Sequence, residues 1–337
     1  MRCTPGVAGL LIACTPLAAG GDGPALAEAG RAALPHVDGR IDHMAWDAKR
    51  ERLFVAALGN GSVEVVEWRA GDLPAGRVSG RIEKLSEPQG IAYLPATDEL
   101  AFTTGGDGKL HVHDATTLKE TQCFEVGGDA DNVRFDADAG LLWIGCEEGL
   151  AVVDVKTWTK VGAVALAGHA ESFQLEPGGA QLYANVPGAR HVAVVDRAQR
   201  KVVATWPLNG VGGDAAGNFP LALDAAAKRL YVGCREPACL LVLDAETGAR
   251  KAKLPIGGDT DDLFVDVAKK RLYVSCGAGE VSVFSLPPDD APPSPLAAVS
   301  TAAGARTAFF AADARKLFVA VPHRGAQGAE IRVLESR

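Results

Sequence analysis

The chain of 337 residues lacks an excess of basic residues. It has 34 Lys and Arg against 42 Asp and Glu, which gives a formal net charge of −8. A protein that binds nucleic acid or an anionic membrane through bulk charge needs a cationic surface, and this balance argues against that class. Hydrophobic residues make up 47% and charged residues 23%, which is globular composition and excludes both intrinsic disorder and a polytopic membrane protein.

Motifs for several common chemistries are also missing. The sequence has no G-x-S-x-G, P-loop, HExxH or Rossmann fingerprint, and no CxxC pair for a zinc ribbon. Its seven cysteines follow no disulfide framework, although Cys234 and Cys239 could face each other across a hairpin. Only 2 Met and no long helix-forming run occur, whereas 39 Gly and 19 Pro recur throughout. This composition favours strands joined by turns and leaves the activity open.

The first residues have the pattern of an export signal. Met1–Gly20 has one basic residue, then an apolar core around Val7–Ala13, then small residues. Two processing routes stay open. Leu11–Cys14 is similar to a bacterial lipobox, which would place a lipid anchor on Cys14, and Ala25–Ala27 offers an ordinary signal-peptidase site. We therefore predict a periplasmic or extracellular protein, with or without a lipid anchor and without a transmembrane domain.

A repeated segment is the strongest signal in the chain. A strand that reads Leu-aromatic-Val, or a close variant, recurs at intervals of 40 to 48 residues. The Leu residues of this repeat are Leu53, Leu100, Leu142, Leu182, Leu230, Leu272 and Leu317. A second apolar strand follows each about a dozen residues later and mostly ends in an acid, and a third strand comes next. A strand-rich period in the forties is typical of β-propeller blades.

The last repeat ends one strand short of the others. Residues Ala29–His36, just after the apolar N-terminal segment, have the pattern of the missing strand. A ring closed in this way has no exposed strand edges. We therefore predict an all-β fold, a seven-bladed β-propeller with four-stranded blades whose last blade the N-terminal strand completes. The predicted organisation is a signal in residues 1–27 and a single, monomeric propeller domain in residues 28–337.

The repeats resemble those of a known family. The carrying residues are the Leu-Tyr-Val strands at Leu230–Gly233 and Leu272–Ser275, the Val-Ala-Val-Val-Asp strand at Val192–Asp196, and Gln89–Ala92. They are similar to the YVTN-repeat, YncE-like seven-bladed β-propellers, over about residues 29–336. The resemblance implies the propeller fold. It implies no particular activity, because this family mixes binding proteins with poorly characterised members and fold does not fix function.

Polar residues recur where the innermost strand of each blade begins. That strand lines the central channel of a propeller, and its start lies at one end, here called the mouth. Eleven residues before each repeat Leu stand Asp42, Gln89, Asp131, Glu171, Phe219, Asp261 and Arg306. The next position includes His43, Asn132 and Asp262, and His169 lies two residues before Glu171. Because equivalent positions of a ring converge, we predict that these side chains meet at the mouth.

The chemistry of this set suits a divalent cation. Carboxylates bind Ca²⁺ or Mg²⁺, and added imidazole would admit Zn²⁺ or Mn²⁺. The candidate metal ligands are Asp42, Asp131, Asn132, Glu171, Asp261 and Asp262. The candidate catalytic groups are His43, His169, Glu171, Arg306 and His323, the last in a loop expected to reach over the mouth. Structural roles stay open, since acids at strand starts can cap turn amides and Arg306 can simply pair with Asp261 and Asp42.

Two functions fit the sequence. The first is an exported module that binds a small molecule or a protein at the mouth. The second is a divalent-metal-dependent hydrolase or lyase at the same place. Gluconolactonase-type propellers are similar in idea, because their ion polarises a lactone carbonyl while a carboxylate acts as base. Those enzymes have six blades, and neither their motifs nor those of virginiamycin-lyase-like propellers map onto this chain. Whether the chain is an enzyme stays open.

Overall fold

The computed structural model describes residues 24–68, 75–209 and 214–337. Over these ranges the regular structure is β-strand, apart from two single-turn 3₁₀ helices at Leu58–Asn60 and Pro187–Ala189. No helix in this part of the chain has the length and hydropathy needed to cross a bilayer. The apolar segment Met1–Gly20, with Cys14, lies outside the described residues, so export and lipidation stay predictions.

The strands follow one another in groups of antiparallel neighbours. After β1 (Leu26–Ala33), the first group is β2 (Met44–Asp47), β3 (Arg52–Ala57), β4 (Ser62–Glu67) and β5 (Ala75–Glu83). The second is β6 (Pro88–Leu94), β7 (Glu99–Thr104), β8 (Lys109–Asp114) and β9 (Glu120–Glu125). The third is β10 (Val133–Asp136), β11 (Leu141–Cys146), β12 (Gly149–Asp154) and β13 (Thr159–Ala165).

The second half of the chain continues the same order. The fourth group is β14 (Phe173–Leu175), β15 (Gln181–Val186), β16 (His191–Asp196) and β17 (Lys201–Pro207). The fifth is β18 (Ala216–Asp224), β19 (Arg229–Glu236), β20 (Ala238–Asp244) and β21 (Arg250–Pro255). The sixth is β22 (Thr260–Asp266), β23 (Arg271–Cys276) and β24 (Glu280–Ser285), whose outer partner is divided into β25 (Ser294–Pro295) and β26 (Val299–Ser300). The chain ends with β27 (Ala308–Ala311), β28 (Lys316–Val321) and β29 (Glu330–Ser336).

The N-terminal strand lies beside the C-terminal strand. β1 pairs antiparallel with β29, from Leu26 opposite Ser336 to Ala33 opposite Glu330. A short parallel pairing of β1 with β5 joins β2–β5 and β27–β29 into one eight-stranded sheet. The predicted strand Ala29–His36 is therefore three residues too far along the chain. The strand ends before Pro35, because proline has no N–H to donate to the ladder.

The acids that recur at the end of the second strand of the repeat, which is the third strand of each group, form turns. The Asp154 carboxylate accepts the backbone N–H groups two and three residues further on, at 2.8 and 3.1 Å. Asp244 accepts the equivalent pair at 3.1 and 2.9 Å. An aspartate that does this closes an Asx turn. The recurring acid therefore ends one strand and starts the next, and these two carboxylates are engaged away from the mouth.

Apolar cores lie between neighbouring sheets. Trp143 of β11 packs with Phe173 of β14 and Leu182 of β15, and all three side chains are fully buried. Middle strands are covered on both faces, which explains why they read as continuous apolar runs such as Leu-Tyr-Val. The prediction of an all-β chain built from four-stranded sheets is confirmed. This packing supports the loops and strand starts that carry the polar residues.

Candidate functional site

The polar pairs before the innermost strands are held by a repeated backbone pattern. The Asp42 N–H donates to the Ala56 carbonyl at 2.7 Å, and the Ala56 N–H donates to the His43 carbonyl at 3.0 Å. The same two bonds form in the third and fourth groups, at distances of 2.8 to 3.1 Å. The three pairs are Asp42–His43, Asp131–Asn132 and Glu171–Ser172. Because the backbone pairing is the same, equivalent side chains start from equivalent positions.

These side chains line one cavity of about 200 Å³, here called the mouth cavity. Its lining comprises Arg40, Asp42, His43, Gln89, Asp129, Asp131, Asn132, His169, Glu171, Ser172, Phe219, Arg235, Asp261 and Arg306. Phe219 is the only hydrophobic side chain among them. Pockets for drug-sized ligands measure about 300–1,000 Å³ and are mostly apolar. The mouth cavity therefore suits an ion or a small polar molecule.

Eight of the ten predicted site residues line the mouth cavity, and Asp262 and His323 do not. Asp262 follows Asp261 at an irregularity in the register of β22 with β23, and only Asp261 lines the mouth cavity. The Asp262 carboxylate accepts the Ala308 N–H at 2.8 Å and lines a second cavity of about 350 Å³, which shares His43 with the mouth cavity. Burial raises the pKa of Asp262 to about 7. His323 lies on the rim, where its Nδ1 is 2.9 Å from an Asp38 carboxylate oxygen.

Asp131 lies between two imidazoles. Its Oδ1 is 3.5 Å from His43 Nε2, and its Oδ2 is 3.6 Å from His169 Nε2. Asp42 Oδ1 lies 3.7 Å from the same His43 nitrogen. Asp131, His169 and Glu171 each offer a ligand atom, and these atoms lie within 4.8 Å of one another. Two groups of one imidazole and two carboxylates therefore share Asp131.

Burial and neighbouring charges shift the pKa values in this part of the cavity. Burial raises the pKa of Asp42 to about 6 and that of Glu171 to about 7. Burial lowers the pKa of His43, but Asp42 and Asp131 outweigh it and raise that pKa to about 10. The pKa of His169 is likewise raised, because Asp131 and Glu171 outweigh burial. Although burial opposes them, His169 and His43 hold the pKa of Asp131 well below its ordinary value.

Arg235 of β19 and Arg306, which precedes β27, supply guanidinium groups to the cavity. Arg306 Nε lies 3.0 Å from Asp261 Oδ2, and Arg306 Nη1 lies 2.9 Å from Asp259 Oδ1. Arg235 also pairs with Asp261, and its guanidinium carbon lies 3.5 Å from the centre of the Phe219 ring. Guanidinium groups bind carboxylates and phosphates through paired N–H donors. The cavity thus has an acid–imidazole part, formed by Asp42, His43, Asp131, His169 and Glu171, and a guanidinium part, formed by Arg235 and Arg306.

The sequence analysis missed Arg235, which lies outside the innermost strands. It stands in β19, five residues after the repeat residue Leu230. The other repeats carry Leu58, Gly105, Glu147, Pro187, Gly277 and Pro322 at that position. A basic side chain at a position where the other repeats have none is the signal that could have revealed Arg235.

In the same hairpin, Cys234 and Cys239 lie opposite each other as buried free thiols.

Comparison with known proteins identifies the fold and no closer relationship. No protein-family model and no curated protein matches the chain. Hydrazine synthase of Kuenenia stuttgartiensis superimposes with a TM-score of 0.69 at 16% identity, covering 84% of this chain and 94% of that chain. A chain of the mitotic checkpoint complex superimposes with a TM-score of 0.73 at 14% identity, covering 99% and 98%.

The fold is a β-propeller. Both similar structures are propellers, and at these identities the likeness concerns the fold alone. The propeller prediction is therefore confirmed at the level of the fold. Membership of the YncE-like family stays a prediction, and so do the roles assigned to the ten site residues.

Proposed function

We propose that this β-propeller is a binding module whose mouth cavity takes a small polar molecule or ion. Three buried polar atoms carry the proposal: Asp131 Oδ1, Asn132 Oδ1 and His169 Nδ1 make no hydrogen bond of good geometry among the described residues. His43 Nε2 lies 3.5 Å from Asp131 Oδ1, and Asp129 Oδ2 lies 3.4 Å from His169 Nδ1. A buried polar atom without a partner costs about 1–3 kcal/mol. Three such atoms at one cavity favour a site where a bound group supplies the missing contacts.

The proposal includes the architecture that forms the mouth. We propose a closed ring of seven blades, with β1 as the outer strand of the last blade. The pairing of β1 with β29 along Leu26–Ala33 supports it. We also retain export to the periplasm or the exterior, which the apolar N-terminal segment supports. An exported, monomeric propeller would present its mouth to solutes outside the cytoplasm.

The lining indicates the chemistry of the bound molecule. The acid–imidazole part attracts a cation or hydrogen-bond donors. Arg235 and Arg306, besides their pairs with Asp259 and Asp261, offer further N–H donors to a carboxylate or phosphate. A volume of about 200 Å³ lies below the range for drug-sized ligands. We therefore propose a small molecule that carries an anionic group.

A retention experiment tests this function. The metal-free protein is mixed with a defined set of sugar acids, small carboxylates, amino acids and phosphates, and retained compounds are identified by ultrafiltration and mass spectrometry. We expect the wild type to retain one class and Arg306→Gln to bind it about 10- to 100-fold more weakly, because a charge-assisted hydrogen bond is lost. Arg77→Gln, in an exposed pair on β5, is the control and should bind as wild type does.

Two results would contradict the proposed function. One is a wild type that retains no compound of the set. The other is equal retention by wild type and by an Arg306→Gln variant whose melting temperature shows that it is folded. In either case the polar lining would be a structural feature of the mouth.

A metal-dependent hydrolase or lyase is the second candidate function. The observation that favours it is the pair of imidazole–carboxylate groups around Asp131, whose donor chemistry fits a divalent ion. Such an ion would polarise a carbonyl group of the substrate. His43, His169 and the carboxylates would hold it, and Arg235 or Arg306 would orient an anionic substrate. Lactone or ester hydrolysis that is lost on chelation and restored by the ion would distinguish this function from binding alone.

A further inference from the structure

We propose that the mouth cavity holds two divalent transition-metal ions bridged by the Asp131 carboxylate. This inference rests on the proposed function of the mouth cavity and specifies the number, class and ligands of the ions. The first position lies among Asp42, His43 and Asp131, and the second among Asp131, His169 and Glu171. Each position thus receives one imidazole and two carboxylates.

The spacing of the donor atoms is the first argument. Ligand atoms at about 2.1 Å from a tetrahedral ion lie about 3.4 Å from one another. His43 Nε2 lies 3.5 Å from Asp131 Oδ1 and 3.7 Å from Asp42 Oδ1. His169 Nε2 lies 3.6 Å from Asp131 Oδ2. These separations are longer than ordinary hydrogen bonds and close to the edges of a metal polyhedron.

The orientation of Asp131 is the second argument. Its two oxygens turn to different imidazoles, Oδ1 to His43 and Oδ2 to His169. A carboxylate that bridges two ions uses one oxygen for each. Asp131 is only 7% exposed, and its Oδ1 lacks a hydrogen-bond partner among the described residues. This oxygen, which has His43 Nε2 at 3.5 Å as its charged neighbour, therefore faces the point where the first ion would bind.

Asn132 can complete the first position. Its Nδ2 lies 2.8 Å from His43 Nε2, while its Oδ1 is buried without a partner in the described part of the chain. Half a turn of the amide exchanges these two atoms. The carbonyl oxygen would then face the first position and could serve as its fourth ligand. Without an ion, the same carbonyl oxygen would accept the Nε2–H of the protonated His43 imidazole.

The donor set narrows the choice of ion. Ca²⁺ and Mg²⁺ prefer sites made of oxygen atoms, whereas imidazole nitrogen suits Zn²⁺, Mn²⁺ and related transition metals. Both positions contain one His nitrogen. Of the four ions that the sequence admits, the geometry therefore favours Zn²⁺ and Mn²⁺ over Ca²⁺ and Mg²⁺.

Stoichiometry tests the inference. The full-length protein is stripped with a chelator and titrated with Mn²⁺ and Zn²⁺, and bound metal is counted by elemental analysis after gel filtration. A Cys123→Ser background removes the thiol ligand of the surface group of His111, Glu120 and Cys123, which could also take an ion. We expect two equivalents in this background, and one in Asp42→Asn and in Glu171→Gln. Asp131→Ala should bind none, and Asp131→Asn should bind both ions at least 100-fold more weakly.

Two further measurements keep the result interpretable. Asp154→Asn changes a carboxylate that closes a turn away from the mouth, and it should keep both equivalents. The electron paramagnetic resonance spectrum of the Mn²⁺ protein should show coupled ions, and Glu171→Gln should convert it to the spectrum of isolated ions. A background protein that binds at most one ion, or single variants that keep two, would overturn the bridged pair. Melting temperatures identify any variant that fails to fold, and Asp131→Asn then replaces Asp131→Ala.

The failure of this inference can be distinguished from the failure of the proposed function. Retention of small molecules is measured in metal-free protein with Arg306→Gln, whereas metal stoichiometry is measured without small molecules. Absence of metal together with loss of retention in Arg306→Gln would overturn the ion pair and keep the binding module. Absence of both effects would overturn both.

Discussion

A chain that begins at Gly39 is expected to aggregate or to melt more than about 10 °C below a chain that begins at Pro24. The shorter chain lacks β1 and the residues that follow it, including the buried Leu26 and Leu34. Burial of each Leu side chain contributes about 1.5–3 kcal/mol. Loss of β1 also leaves β29 without its ladder partner and exposes a strand edge, which promotes aggregation.

The comparison of these two chains measures the contribution of residues 24–38, because the longer chain keeps β1 and the buried residues that follow it. Differential scanning calorimetry and size-exclusion chromatography are the measurements. Within the longer chain, Leu26→Ala should lower the melting temperature, whereas Glu28→Ala, which is exposed on the same strand, should not. If the Gly39 chain stays monomeric and melts with the Pro24 chain, β1 does not close the ring.

Replacement of Arg52 by Ala is expected to lower the free energy of unfolding at pH 7 by about 3 kcal/mol or more. Arg52 donates to the fully buried Asp47 carboxylate at 2.9 and 3.2 Å. It also donates to the Ala115 carbonyl of the neighbouring sheet at 3.1 Å. The truncation leaves a buried carboxylate with only Arg50 as an ion-pair partner. Arg77→Ala removes an exposed pair on the same sheet and should change the value by less than about 1 kcal/mol.

The effect of Arg52→Ala should shrink in acid. Although burial opposes them, Arg50 and Arg52 hold the pKa of Asp47 below its ordinary value of 3.8. A carboxyl whose pKa is depressed by folding stabilises the fold above its unfolded pKa, and this stability is lost as the pH falls through the folded pKa. Urea unfolding at pH 7 and pH 3 measures the difference. An equal loss at both values would mean that Arg52 stabilises by packing and not by its charge.

Much of the fold could be predicted because the repeat shows which residues stand at equivalent positions in successive sheets. The repeat Leu, for example Leu142 or Leu230, recurs together with its neighbours. A strand that is covered on both faces needs an apolar side chain at every position. The boundaries of β1 could not be predicted as well. Its pattern extends through Leu34, but Pro35 ends the ladder and Leu26 extends it backwards. Register against β29 decides these limits, and a single sequence does not contain it.

The candidate site could be predicted in part for the same reason. Asp42, Asp131 and Glu171 stand at one position of the repeat, and the ring brings that position together. Arg235 escaped because it reaches the cavity from the second strand of its blade. His323 lies on a rim loop whose course the repeat does not specify. The contacts of Asp131 with two imidazoles depend on side-chain rotamers, which packing sets and sequence position does not.

Anomalous diffraction from crystals of the full-length protein soaked with Mn²⁺ tests the central claim most directly, because it locates the bound ion. We expect two peaks in the mouth cavity, one on each side of the Asp131 carboxylate, and none at Asp131 in crystals of Asp131→Ala. One peak at this place would keep the mouth as a binding site and contradict the bridged pair. Peaks only on the outer surface, for example at His111 and Glu120, together with ordinary solvent in the mouth cavity, would contradict the account.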